Sequence, residues 1–411
     1  MIDIIVIGAG AAGLLAAGTA AEKGKKVLLL EKMERSGRKL LITGKGRCNI
    51  TNSSYASEHF KQIHPKGKYL KTAYSKYFAS HIIELLQQFG VTTEVERGNR
   101  VFPTSNQAAD VVNALDKWIR KNRVEVKYKT KVKKLLITEG AISGVELESG
   151  EIFNADKVIV ATGGKSYAAT GSTGDGYTFA KQAGHLIEKT YPALVPIETK
   201  GEIAQSMQGL ALKNANVSLW VNGKKAQDEF GELLFTHFGL SGPVILTLSR
   251  SIVGELDKGN KVELSIDLKP ALDEVKLDQR LIRDLNEFGK KQIDNIFRNW
   301  LPSKMIPVFL ELLNIDSKKE GHQISAKERK GIKNLMKNLA FEVSGYRSFK
   351  EAIITAGGVN TSEVDNKTME SKLVKGLYFA GEVLDLDANT GGYNLQIAWS
   401  TGYLAAVSAC E

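Results

Sequence analysis

Cysteine is nearly missing from this chain of 411 residues: there are two, Cys48 and the penultimate Cys410. So few thiols, so far apart, exclude a disulfide framework and a cysteine metal cluster, and fit a reducing cytoplasm. Long apolar runs are missing too. No stretch approaches the ~18 uninterrupted apolar residues of a membrane span, and the N-terminus has neither the basic region nor the cleavage site of a secretory signal. The reading is a cytoplasmic protein without a membrane partner. Proline-rich linkers, repeats and low-complexity tracts are absent as well. With 43% hydrophobic residues the chain can bury a sizeable core, and its length suggests two or three domains.

The net charge of +10 admits nucleic acid, an anionic cofactor or anionic substrates. Residues 270–350 hold 16 Lys or Arg against 11 Asp or Glu. That excess describes a solvated, mildly basic helical face rather than a nucleic-acid footprint, so nucleic acid is not expected as a partner. A nucleic-acid-binding or RNA-modifying protein is kept as the reading from another class. The oligomeric state is not legible.

The first 31 residues read as one βαβ unit. An apolar run, Ile4 to Ile7, meets Gly8-Ala9-Gly10-Ala11-Ala12-Gly13, then an alanine-rich helix, then Val27 to Leu30 closing on Glu31. Gly8 serves the tight turn, Gly10 the backbone approach to a pyrophosphate, Gly13 the close packing of helix on strand, and Glu31 a ribose. This unit alone does not distinguish FAD from NAD.

Two later segments bear on that choice. Lys157 to His185 gives a strand, the turn Ala161-Thr162-Gly163, and a TGDG entry into a helix. Near the C-terminus, Leu377 to Ala380 gives a strand, then Gly381-Glu382, then a helix opening at Gly391-Gly392. A helix N-terminus offers N–H donors and partial positive charge, which suit the electron-rich edge of a flavin. Between these segments the pattern changes. Ala193 to Leu268 alternates like strands, with Asn222-Gly223 as a hairpin turn, and Pro270 to Leu339 has helical spacing.

The motifs GAGAAG, GRKLLITGKGRCNITN, ATGGKSYAATGSTGDGY, THFGLSGP and FAGEVLDLDANTGGYNLQIAWSTG together resemble the BaiN-like, aminoacetone-oxidase-type family of NAD(P)/FAD-dependent oxidoreductases. The resemblance implies an α/β, Rossmann-type FAD-binding domain like that of glutathione reductase, interrupted by a β-barrel and a small helical subdomain. The expected division is 1–192 with 353–411 for FAD, 193–269 with 340–352 for the barrel, and 270–339 for the helices. It also implies where FAD lies: Gly8 to Gly13 on the pyrophosphate, Glu31 and Lys32 at the ribose, Arg38 and Lys39 beside it, and Gly44, Gly46, Arg47, Cys48 and Asn49 on the flavin. Val132 falls by the adenine. Ala161, Thr162 and Gly163 flank the nucleotide, and Gly381, Glu382, Gly391, Gly392, Tyr393, Asn394, Gln396 and Ile397 close over the isoalloxazine. Two departures stand out: Ala168 where the family commonly has proline after Tyr167, and Glu382 where wider flavoproteins place Asp.

The expected activity is hydride transfer at flavin N5 to a small organic substrate, with NADH or NADPH docking transiently because no second nucleotide fingerprint is present. Oxygen-dependent oxidation of a small amine or aminoketone is the alternative. Candidate catalytic residues are Arg47, Cys48, His237 and Tyr393. Cys48 has no partner thiol five positions away and is read chiefly as a small neighbour of the flavin, with a thiolate as the competing role. Arg47 and Lys45 are read as stabilising reduced flavin or an anionic substrate. His237, Tyr167 and Tyr393 are the available proton donors.

Overall fold

A computed structural model describes all residues, Met1–Glu411. The chain divides into two compact units, Met1–Pro192 with Phe349–Glu411, and Ala193–Ser348.

The first unit is built on a five-stranded parallel sheet in the order Leu377–Phe379, Lys157–Val160, Ile4–Ile7, Val27–Leu30, Glu125–Lys127. Ile4–Ile7 and Val27–Leu30 are buried along their whole length, which is why they read as unbroken apolar runs rather than alternating ones. Gly8 follows the first strand at φ 101°, where an added Cβ would meet the Ala161 carbonyl at 2.7 Å. The helix Ala11–Glu22 then packs against the C-terminal helix Tyr393–Ala409. Small residues set that distance: a Cβ on Gly402 would stand 2.4 Å from the Ala12 carbonyl. Both ends of the chain therefore meet at the C-terminal edge of one sheet, where open α/β sheets bind ligands.

A second sheet, Thr51–Asn52 with Arg100–Pro103 and Thr93–Glu96, supports the segment around Cys48. Val132–Thr138, Ala141–Leu147 and Ile152–Asn154 form a further antiparallel sheet.

The second unit holds a closed six-stranded antiparallel barrel, in the order Ile197–Thr199, Gly239–Ser241, Lys224–Thr236, Ala211–Val221, Val262–Asp267, Leu339–Tyr346. Its long hairpin turns at Asn222-Gly223, both with positive φ, as a two-residue type I′ connection requires. The helices Glu274–Glu287, Ile293–Phe297, Ile306–Leu313 and Ala326–Lys337 lie between its last two strands in sequence. No helix of the molecule is long and apolar enough to cross a membrane.

Candidate functional site

The glycine-rich turn after the first strand presents bare backbone. The helix Ala11–Glu22 starts at Gly10 with no side-chain cap, and the side of Gly10 where a Cβ would stand is open space. At Gly13 a Cβ would stand 1.8 Å from the Gly8 carbonyl, so only glycine lets helix and turn meet. Ala9, Ala11 and Ala12 add no polar side chain between the N–H groups and a ligand. Such a terminus is an anion cradle.

Glu31, at the end of the second strand, is buried and holds the turn in place. Its Oε2 accepts from the Ala9 N–H at 2.7 Å and its Oε1 from the Met33 N–H at 2.8 Å. A carboxylate has about four lone-pair sites, so acceptor capacity remains for ribose hydroxyls. The Thr130 N–H donates to the Glu31 carbonyl at 2.9 Å, and that segment leads into Val132, which is buried in the antiparallel sheet. On the opposite side, the Ala161 N–H donates to the Ile7 carbonyl at 2.9 Å; Gly163 has φ 72°, and the hydroxyl of Thr162 is buried without a partner. Bare helix terminus and buried acid fit a dinucleotide phosphate and ribose, while the Thr162 hydroxyl faces Gly176, where a Cβ would stand 2.2 Å from it.

The charged side chains near this cradle pair with one another. Lys32 Nζ donates to Asp175 Oδ2 at 2.6 Å and to Thr173. Arg38 pairs with Glu34 and donates to the Ala169 carbonyl at 3.0 Å. Lys39 Nζ donates to Ser166 Oγ at 2.7 Å and to Glu382 Oε2 at 2.6 Å, while Glu382 Oε1 accepts from Ser166 Oγ and the Thr355 N–H. Glu382 thus ties its own turn to three distant segments of the first unit, those of Lys39, Ser166 and Thr355. Gly381 beside it sits over the first helix: a Cβ there would approach the Ala12 methyl to 2.9 Å.

The loop from Thr43 to Asn52 is locked to the start of the C-terminal helix. Gly392, at φ 97°, packs so closely on Thr51 that a Cβ would come within 2.4 Å of its carbonyl. Asn52 Nδ2 donates to the Gly391 carbonyl at 3.0 Å, and Thr51 Oγ1 donates to Gln396 Oε1 at 2.5 Å. The Asn49 amide, turned to satisfy both ends, accepts from the Gly392 N–H at 3.0 Å and donates to the Thr51 carbonyl at 3.1 Å. Trp399 Nε1 reaches the Ile50 carbonyl at 2.9 Å. The helix start at Gly392 carries no side-chain cap, like the one at Gly10.

Several expected contacts come out differently in kind. Gln396 is fully buried and bonded to Thr51 and Ser400, so its side chain ties the C-terminal helix to the loop. Asn394 closes on the backbone of Ala388, and Ile397 is core. Arg47 is no loose cation: it pairs with Glu96, donates to Asn106 Oδ1 at 2.5 Å and lies 4.1 Å above the Phe102 ring. Cys48 is completely buried, and burial pushes its thiol up to about 12, which supports the small-neighbour reading over the thiolate.

Tyr393 is half-buried, its ring folded against Gly391 and edge-on to His59 at 4.8 Å; burial raises its hydroxyl, which stays protonated. His237 belongs to the barrel unit, exposed in the turn between Lys224–Thr236 and Gly239–Ser241, and is not among the residues gathered in the first unit. His59 was missed by sequence reasoning, as were Glu96 and Thr355. His59 Nε2 donates to the Asn52 carbonyl at 3.1 Å, and burial lowers it to about 4. Nothing local in the sequence marks these three, because their partners arrive from other segments.

Comparison with known proteins adds the family. The model described as "HI0933-like protein Rossmann domain" matches residues 2–408. A 3-dehydro-bile acid delta(4,6)-reductase of Clostridium scindens is 31% identical over 408 residues, 99% of this chain and 98% of the relative. A ribosomal RNA dihydrouridine synthase of Escherichia coli K12 is 30% identical over 406 residues, 98% and 97%. Among solved structures, a 3-ketosteroid-delta4-(5alpha)-dehydrogenase of Rhodococcus jostii RHA1 shares the fold at TM-score 0.50 and 15% identity, covering 100% of this chain and 96% of that one. A relative named for modifying ribosomal RNA removes the ground for setting nucleic acid aside on charge alone.

Proposed function

Since the chain belongs to the HI0933-like family of FAD-dependent oxidoreductases, we propose that it is a reductase that saturates a carbon–carbon double bond conjugated to a carbonyl, drawing electrons from NADH or NADPH. The observation that carries this reading is the juxtaposition in one unit of a dinucleotide cradle with the locked loops Gly44–Asn49 and Gly391–Tyr393. The names of both relatives describe reductions, and a conjugated carbonyl makes the distant carbon electrophilic in each type of substrate.

In this reading Gly8 to Gly13 hold the pyrophosphate and Glu31 the ribose. Flavin, when bound, supplies hydride chemistry at N5. The chain supplies the rest. Uncapped N–H groups of the turn that follows Gly392, whose own N–H is taken by Asn49, stabilise negative charge at the pyrimidine edge. Tyr393, held protonated by its half-buried position, donates the proton that completes saturation. Cys48 is a small neighbour of the site, and Arg47 with Glu96 braces the loop that carries it. The substrate carbonyl is that of a small organic molecule; a uracil base in RNA is the second reading, favoured by the full-length match to the dihydrouridine synthase and by the net charge of +10.

The test is to reconstitute the protein with FAD and follow NADH and NADPH oxidation without oxygen, adding in turn a steroidal enone and a uridine-rich ribosomal RNA fragment. Stoichiometric saturation of either acceptor supports the reading. No acceptor-dependent oxidation of NADH or NADPH until air is admitted, with neither acceptor reduced, contradicts it and favours an oxygen-dependent enzyme.

A further inference from the structure

We infer that Lys45 is a specificity-determining residue that binds an anionic group of the substrate, a carboxylate or a phosphate, at the mouth of the flavin loop. The inference rests on the placement of Gly44–Asn49 at the flavin proposed above. Three consecutive residues of this loop are left-handed: Gly44 at φ 57°, Lys45 at φ 60° and Gly46 at φ 85°. Glycine adopts that conformation freely, whereas a residue with a Cβ is strained there by roughly 1 kcal/mol. A lysine between two such glycines is therefore a local cost that nothing in the packing repays.

The backbone around it is fixed. The Arg47 N–H donates to the Gly44 carbonyl at 3.3 Å and the Cys48 N–H to the Thr43 carbonyl at 3.0 Å, and a Cβ on Gly44 would press on the Asn49 nitrogen at 2.9 Å. Lys45 stands at the tip, exposed, with neither an ion pair nor a hydrogen bond from its ammonium. Its basic neighbours are all engaged: Arg47 by Glu96, Arg38 by Glu34, Lys39 by Glu382 and Lys32 by Asp175. Lys45 is thus the free cation of this set. An ammonium held on a rigid tip selects charge rather than shape, so the same contact suits a small acid or a nucleic-acid backbone.

The test uses the FAD-loaded full chain and reads binding from the change in flavin absorbance, which needs no turnover. Three probes are titrated at low ionic strength: an oligouridylate, an enone bearing a carboxylate, and its neutral methyl ester. Lys45→Gly relieves the strain and removes the side chain with its charge, and Lys45→Met keeps the stem and removes the charge, so folding and FAD content of the two serve as internal checks. The expected result is an affinity for one anionic probe that falls about tenfold relative to the neutral ester, as for loss of a hydrogen bond to a charged group, with most of it restored by Lys45→Arg. Which probe responds identifies the source of the anion. Unchanged affinity for both anions in Lys45→Gly, equal loss for the ester, or no binding of either anion by the wild type would overturn the inference. Failure of the reductase reading is separate: it shows as binding without saturation of any probe.

Discussion

At position 48 the chain buries a thiol completely while holding its backbone at φ 63°, in the left-handed region. A residue kept in that conformation and sealed from water serves the shape of its loop. Cys48→Ser should then keep FAD bound and lower turnover by less than about tenfold, or ~1.4 kcal/mol of barrier. In the native protein at pH 8, thiol reagents should modify Cys410, which is only partly covered, well before Cys48; peptide mass spectrometry distinguishes the two. Rapid alkylation of Cys48 with loss of activity would revive the thiolate. Glu31 carries a different load. Because it fastens the Ala9 and Met33 N–H groups and is proposed to hold the ribose, Glu31→Ala should weaken FAD affinity by at least about tenfold, consistent with ~1.5–3 kcal/mol for bonds to a charged group. It should also lower the melting temperature of the FAD-free protein. Turnover at saturating FAD should survive, as measured by fluorescence titration and steady-state assay.

Helices show how the same residue type can mean opposite things. Gly402, in Tyr393–Ala409, faces the Ala12 carbonyl so closely that Gly402→Ala forces two helices apart, and we expect a loss of about 2–3 kcal/mol with weaker FAD retention. Gly254, in Pro243–Asp257, has open space where a Cβ would go, so Gly254→Ala should stabilise by up to about 1 kcal/mol through better helix propensity. Thermal denaturation of the pair checks both signs. This contrast also explains what could be read in advance. The strands Ile4–Ile7 and Val27–Leu30, the turn at Asn222-Gly223 and the helix start at Gly392 follow local rules of periodicity and backbone freedom, and the sequence displays them. The brace of Arg47 on Glu96, the Glu382 hub and the pin from His59 to Asn52 depend on which segments meet, and a single sequence carries no mark of that. Gln396 and Asn394 were legible as belonging to the region, whereas their roles as internal ties were not.

Across the whole molecule, two buried histidines couple stability to pH. His59 is lowered to about 4 by burial, and burial also lowers His185, whose Nε2 shares a hydrogen bond with Ser371 Oγ at 2.7 Å and whose Nδ1 lies 3.3 Å from Glu363. Both bind protons more readily in the unfolded chain, with an ordinary value near 6.5. Their contribution is therefore present in full above pH ~6.5 and is lost as pH falls below it, for His59 as pH falls toward 4, by up to ~1.4 kcal/mol per pH unit. Denaturant titrations of wild type and His59→Gln should show the variant with a shallower acid slope. A slope of equal steepness would contradict the burial account.

The reaction proposed for this molecule is hydride transfer from bound flavin to a conjugated double bond. The most direct measurement is anaerobic stopped-flow absorbance: reduce the FAD-loaded protein with one equivalent of dithionite, mix it with a steroidal enone or a uridine-rich RNA fragment, and follow the return of oxidised flavin near 450 nm. The account predicts rapid reoxidation by one of these acceptors, with one saturated product per flavin, and marked slowing in Tyr393→Phe, which lacks the proton. Flavin that stays reduced with both acceptors and reoxidises only when air is admitted would contradict it.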